Sequence, residues 1–203
     1  MADHRLRLLV VCTANVCRSP VSAMMLDRAL LDRGVDAIVE SAGFLEGGFP
    51  ACATMSAFGS DIGLDLSFHE SRTLDAHLVG AAGLVLAMER RHARDLMVAF
   101  DRGFERIFTV GGFIAQATTM PPLGEGLDEW LGRVAPCRTH AEFLGVQCDD
   151  DVADPHGESK RIHRRAFDHL QIAMDRVADI VAGARDRRVT EGRSTHEAPP
   201  TSP

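Results

Sequence analysis

Short runs of branched apolar residues alternate with segments of helical period through the first half of the chain. Leu6 to Val11 is apolar at every position but Arg7, the pattern of a strand buried on both faces. Ser19-Pro20 opens a helical segment that runs to Leu31, with Pro20 tolerated in the first turn and Gly34 as the stop. Ala37 to Glu40 reads as a second strand ending at Ser41-Ala42-Gly43, and a small helix follows over roughly Ala51 to Gly59. Leu74 to Val79 is expected to be helical, Gly83 to Ala87 a third buried strand, Arg90 to Phe100 a helix and Arg106 to Val110 a fourth strand. Such alternation predicts a parallel sheet with helices on both faces.

Beyond Ala117 the pattern loosens. Pro121-Pro122, Gly124 and Gly126 interrupt it, leaving short helices expected around Leu127–Val134 and Thr139–Leu144. Lys160 to Ala184 is the clearest helix, with Ile162, Ala166, Leu170, Ala173, Val177 and Val181 on one stripe. From Arg185 the composition turns to Arg, Thr, Ser, Glu and Pro, which predicts a disordered tail over 185–203.

Composition narrows the function classes. The 203 residues, 45% hydrophobic and 25% charged, are enough to bury a core without disulfide staples. A net charge of −7 argues against a general nucleic-acid binder. Five cysteines, an odd number, point to free thiols in a reducing compartment. No run approaches the roughly 20 apolar residues of a membrane span, and the charged start from Met1 to Arg7 is unlike a signal peptide. A soluble cytoplasmic protein is expected. With no tyrosine in the chain, control through its own tyrosine phosphorylation is excluded.

The candidate chemistry lies in Val11-Cys12-Thr13-Ala14-Asn15-Val16-Cys17-Arg18-Ser19-Pro20, between the first strand and the first helix. An open α/β sheet puts its ligand crevice there. Backbone N–H groups running into a helix N-terminus form a ready anion site, and a thiol in that field is favoured as thiolate. Arg18 offers a planar fork for two phosphate oxygens. A thiolate beneath a bound phosphate is the arrangement covalent phosphoryl transfer needs. Taken alone, the Cys-x5-Arg-Ser spacing is weak, and the minority reading makes Cys12 and Cys17 small buried hydrophobes.

This segment resembles the phosphate loop of the low-molecular-weight protein tyrosine phosphatases. Three further segments agree in order: Ser41-Ala42-Gly43; His69-Glu70-Ser71-Arg72 with Leu84 to Met88; and Asp154-Pro155. The resemblance covers roughly Leu6 to Ala117 and Asp151 to Ala184. It implies one three-layer α/β domain over 1–184, a flavodoxin-like, doubly wound fold around a central four-stranded parallel sheet. Residues 118–151 form an extended insertion before the acid loop, expected as a lid, a partner surface or a helix pair on the flank.

Residue by residue, the resemblance makes Cys12 the nucleophile and Arg18 the holder of the equatorial oxygens. The loop Thr13, Ala14, Asn15, Val16, Cys17, Arg18 and Ser19 binds phosphate, with Ser19 hydrogen-bonded to the thiolate. Asn15 is structural, tied to Ser41 and suited to left-handed backbone. Asp154 is the general acid, fixed by Pro155, although beside Asp149-Asp150-Asp151 it also reads as part of a solvated acidic turn. Cys17 is a redox partner able to bridge to Cys12 under oxidants. No cofactor and no metal is implied: Cys52, Cys137 and Cys148 show no ligand spacing. Most of the nine histidines read as solvated, with His156 the exception. Expected partners are a phosphorylated protein or small phosphate ester and phosphate-like oxyanions, with no nucleic acid and no membrane, in a monomer or weak homodimer.

Departures from the family's pattern accompany the match. Ala14 replaces the usual Gly and would strain the loop if its φ were positive. His156 and Gly47-Gly48 stand where aromatic walls are common, leaving Phe44 and Phe49 as substitutes. Alternatives are a phosphoarginine phosphatase, disfavoured by aliphatic Val16, an arsenate reductase, disfavoured by the absence of cysteine from Leu84 to Met97, and a non-catalytic anion-binding regulatory module.

Overall fold

A computed structural model describes residues 5–100, 104–139 and 150–185. Four strands, β1 (Leu6–Cys12), β2 (Ala37–Gly43), β3 (Leu84–Ala87) and β4 (Ile107–Thr109), form one parallel sheet in the order β2-β1-β3-β4. The helices are α1 (Arg18–Asp32), α2 (Ala53–Asp61), α3 (Ala76–Ala81), α4 (Arg90–Phe100), α5 (Val110–Thr119), α6 (Leu127–Val134) and α7 (Lys160–Ala184). This is the expected doubly wound α/β architecture.

Strand alternation divides the core in two. Leu8, Val10, Cys12, Leu84, Leu86 and Phe108 face the layer containing α1, α5 and α7, whereas Leu9, Val11, Val85, Ala87 and Ile107 face α3 and α4. The chain leaves β1 toward β2 and then crosses back to β3, so the strand order reverses between β1 and β3. The C-terminal ends of these strands therefore flank the crevice where such sheets bind ligands. Cys12 is the last residue of β1, and its side chain falls on the α1 face.

The main departure from the expected elements is α5. Val110 is the first residue of a helix, not the last of a strand, and Thr109 caps it by accepting from the Gly112 N–H at 3.0 Å. Gly111-Gly112 weakens helix propensity there, and no charged face marks the period. Tertiary packing supplies what propensity lacks, with buried Phe113 set edge-on between Phe108 and Trp130.

Downstream, α6 is part of the core: Leu127, Trp130, Leu131 and Val134 are buried, and the Trp130 indole donates to the Met120 carbonyl at 2.8 Å. Arg138 lies over the Phe108 ring and donates to the Ile107 carbonyl, closing the β4 edge. Residues 140–144 of the expected Thr139–Leu144 helix and residues 186–203 of the tail expected over 185–203 lie outside the described residues. Helix α7 buries the anticipated stripe from Ala166 to Val181 and adds His163, Phe167, Met174 and Ala178 to it.

Candidate active site

The loop from Cys12 to Ser19 is braced from outside through its carbonyls. Thr13 O accepts from the Phe44 and Leu45 N–H groups, Asn15 O from the His69 imidazole at 2.8 Å, and Val16 O from the Cys52 N–H at 2.9 Å. In a trans peptide the next residue's N–H points opposite to the carbonyl. The outward carbonyls thus turn the N–H groups of Ala14, Val16 and Cys17 toward the loop's interior, an anion-binding concavity beside the start of α1.

Asn15 holds the turn. Its φ of 55° is the only positive value of a non-glycine residue among the described residues, so Ala14 escapes the strain its Cβ would have suffered. The Asn15 amide donates to Ser19 Oγ at 2.9 Å and Ser41 Oγ at 2.8 Å and accepts from the Arg72 N–H at 2.9 Å. Gly43 packs directly behind the loop. A Cβ there would meet Asn15 N, Ala14 C and Thr13 O at 2.7–2.8 Å, all of them backbone.

At the loop's two ends, Cys12 Sγ lies 3.0 Å from Ser19 Oγ. Arg18 is 1% exposed, and its guanidinium spans the site. One terminal nitrogen donates to Glu89 Oε1 and to the Val152 carbonyl, each at 2.7 Å. The other donates to Asp154 Oδ2 at 2.6 Å and reaches Thr13 Oγ1 at 3.5 Å. Its buried Nε has no partner among the described residues. Asp154 is partly exposed, on a loop held by buried Pro155 and by the Val152 N–H donating to Met88 O.

Sequence reasoning missed a second tier of polar residues following β3. Burial alone would raise the Glu89 carboxyl, but hydrogen bonds from Arg91 and Arg18 outweigh it and hold the pKa at about 2. His92 is buried, 3.0 Å from Thr13 Oγ1 and stacked on Phe44 with ring centroids 5.6 Å apart. Burial lowers its pKa to about 4, against the pull of Glu89. The rule that ligands gather beyond strand C-termini would have picked out Glu89, two residues past the end of β3.

Among the described histidines His92 and His163 are the buried ones, whereas His156, the expected exception to solvation, is exposed. His163 Nε2 sits 3.6 Å from Cys52 Sγ, and the ligand atoms of Cys17, Cys52 and His163 lie within 4.8 Å of one another. Sequence spacing had suggested no such cluster. Burial, followed by the neighbouring Cys52, pushes the Cys17 thiol well above its ordinary range. Cys17 Sγ also lies 3.7 Å from the Nδ1 of exposed His156.

Of the aromatic substitutes, Phe44 stands beside Thr13, while Phe49 is exposed. No ring could stand at position 47, because a Cβ on Gly47 would run into the Ser71 carbonyl. A cavity of about 670 Å³ opens at the other end of the strands between Leu6, Gly83, Arg106 and Leu127; neither a thiol nor a hydroxyl lines it.

Comparison with known proteins agrees with this geometry. Residues 7–121 match the family described as low molecular weight phosphotyrosine protein phosphatase. The chain is 28% identical over 174 residues to a protein-arginine-phosphatase of Geobacillus stearothermophilus, covering 85% of this chain and 94% of the relative. It is also 28% identical over 140 residues to the probable low molecular weight protein-tyrosine-phosphatase EpsP of Ralstonia solanacearum, covering 63% of this chain and 94% of the relative. A solved low molecular weight protein tyrosine phosphatase from T. tengcongensis superposes with a TM-score of 0.64 at 26% identity, covering 86% of this chain and 98% of that one.

Proposed function

The chain belongs to the low molecular weight phosphotyrosine protein phosphatase family, and on that premise we propose that it hydrolyses phosphate monoesters, foremost phosphotyrosine in proteins, through a cysteinyl-phosphate formed on Cys12. The observation that carries this reading is the Cys12–Ser19 contact of 3.0 Å inside a loop of converging N–H groups. A hydroxyl at that distance stabilises the sulfur as an anion, and so serves both its attack on phosphorus and its later departure.

In the first step the Cys12 sulfur bonds to phosphorus and the ester P–O bond breaks. Asp154 gives its proton to the leaving oxygen. In the second step Asp154 takes a proton from water, whose oxygen attacks phosphorus and releases Cys12 and inorganic phosphate. Arg18 and the inward N–H groups stabilise the charge on the equatorial oxygens. The unpartnered Nε of Arg18 is a buried donor suited to one of those oxygens. Glu89 and Val152 O anchor one terminal nitrogen of the guanidinium, leaving Nε and, in competition with Asp154, the other terminal nitrogen for substrate. No metal or cofactor enters these steps.

Phosphoarginine is the competing substrate, favoured by the named activity of the Geobacillus relative. Val16 gives the loop an aliphatic side chain in place of a hydroxyl, and the Phe44 ring stacks on His92, which itself meets Thr13 Oγ1. Both features suit an aryl ester. Reduced cytoplasm is the compartment in which Cys12, Cys17, Cys52 and Cys137 stay free. Among the described residues no helix is long and apolar enough to cross a membrane. Under oxidants Cys17 is the candidate to bridge to Cys12, and thiol mapping after peroxide tests that pairing.

The deciding experiment compares purified, reduced protein on p-nitrophenyl phosphate, a phosphotyrosine peptide and a phosphoarginine peptide. Hydrolysis of the first two ahead of the third is expected. Faster turnover of phosphoarginine would reassign the substrate, and no hydrolysis of any of them would leave only an anion-binding module.

A further inference from the structure

We propose that Cys17, Cys52 and His163 form a binding site for a soft divalent cation, zinc by its ligand set, with the fourth position left to a water molecule. The inference goes beyond the phosphatase reading and does not depend on it.

The ligands come from three places that the fold brings together. Cys17 immediately precedes α1, Cys52 precedes α2, and His163 lies in the first turn of α7. The Cys52 N–H donates to the Val16 carbonyl at 2.9 Å, which fixes the register of the two thiols. Their sulfurs and His163 Nε2 all lie within 4.8 Å of one another. Tetrahedral zinc, with Zn–S of about 2.3 Å and Zn–N of about 2.0 Å, sets neighbouring sulfur and nitrogen ligands about 3.5 Å apart. The sulfur–nitrogen separation between Cys52 and His163 is 3.6 Å.

The outer contacts agree with ligation. His163 Nδ1 is 3.2 Å from the Ser159 carbonyl, an acceptor that places the ring proton on Nδ1 and turns the Nε2 lone pair toward the sulfurs. Two thiols and imidazole nitrogen select zinc over magnesium or calcium, which take oxygen ligands. Binding breaks two S–H bonds, forms two metal–thiolate bonds and releases two protons to solvent. A bound ion would tie the Cys12–Ser19 loop to α2 and α7.

The test is titration of metal-free, reduced full-length protein with cobalt(II) and then zinc. We expect one equivalent of cobalt with sulfur-to-metal charge-transfer and tetrahedral visible bands, displaced by zinc. Cys52→Ser and His163→Gln should each weaken zinc binding by more than the roughly 10–100-fold that loss of an outer partner costs. Cys12→Ser should keep the full spectrum. In the wild-type protein, zinc should protect Cys17 and Cys52 from alkylation while exposed Cys137 still reacts, a readout independent of how any variant folds. A cobalt complex without thiolate bands, unprotected Cys17 and Cys52, or a spectrum lost only in Cys12→Ser would overturn the proposal.

Discussion

Arg18 donates to Asp154 across 2.6 Å, so the cation assigned to the phosphate and the carboxyl assigned to the leaving group are bonded to each other. An arriving phosphate competes with Asp154 for that guanidinium nitrogen. Asp154→Ala is therefore expected to act in opposite directions on two measurements. Turnover of p-nitrophenyl phosphate should fall by about 10²–10⁴. Inhibition by vanadate should become tighter by up to about fivefold, the ~1 kcal/mol that a partly exposed pair is worth. An unchanged rate would move the acid to another residue.

Cys12→Ser should abolish turnover and still bind vanadate or phosphate, because the N–H groups and Arg18 remain. Ser19→Ala removes the 3.0 Å contact to Cys12 Sγ and one of the bonds made by Asn15. A hydrogen bond to a charged group is worth about 1.5–3 kcal/mol, or roughly 10–100-fold in rate. Burst kinetics separate the two chemical steps, and the loss is expected in both, since the same bond serves sulfur as nucleophile and as leaving group. A Cys12→Ser protein that turned over normally would remove Cys12 from the mechanism.

Gly43→Ala tests how closely the loop is held. The added Cβ meets three backbone atoms of Thr13, Ala14 and Asn15, and none of them is the end of a flexible side chain. The loop must shift by several tenths of an ångström, displacing its N–H groups from the oxyanion. A drop in kcat/KM of at least about tenfold is expected, with a melting temperature changed by a few degrees. Wild-type kinetics would mean that the loop tolerates displacement.

The strands were legible because a strand buried on both faces needs little but branched apolar residues, and Leu6 to Val11 and Leu84 to Ala87 are that. The loop from Cys12 to Ser19 is legible because its residues are contiguous. Helix α5 was not: its stability comes from Phe113 packing between Phe108 and Trp130, contacts invisible to local propensity. Cys17, Cys52 and His163 escaped for a similar reason, being separated by 35 and 111 positions on three different elements. The hold of Glu89 and Val152 O on Arg18 likewise depends on β3 and the acid loop meeting at the crevice.

Acidification should weaken the fold through His92. This ring faces Glu89, Arg91, Arg18, Asp95 and Thr13, and burial lowers its pKa from 6.5 to about 4. Between those values the unfolded chain binds the proton and the folded chain does not, so stability rises with pH and is lost as pH falls from 6.5 to 4. At ~1.4 kcal/mol per pKa unit the effect is at most about 3 kcal/mol. Glu89 adds a second, lower window: its carboxyl, held at about 2 against an ordinary 4.5, stabilises the fold above 4.5 and ceases to do so as pH falls toward 2. Urea melts from pH 3 to 7 should therefore show a continuous decline on acidification. His92→Gln, which cannot titrate, should flatten the upper window and leave the lower one sloping. If the slope between pH 4 and 6.5 survived that substitution, another group would be taking up the proton, and His92 would serve only as a packing partner for Phe44.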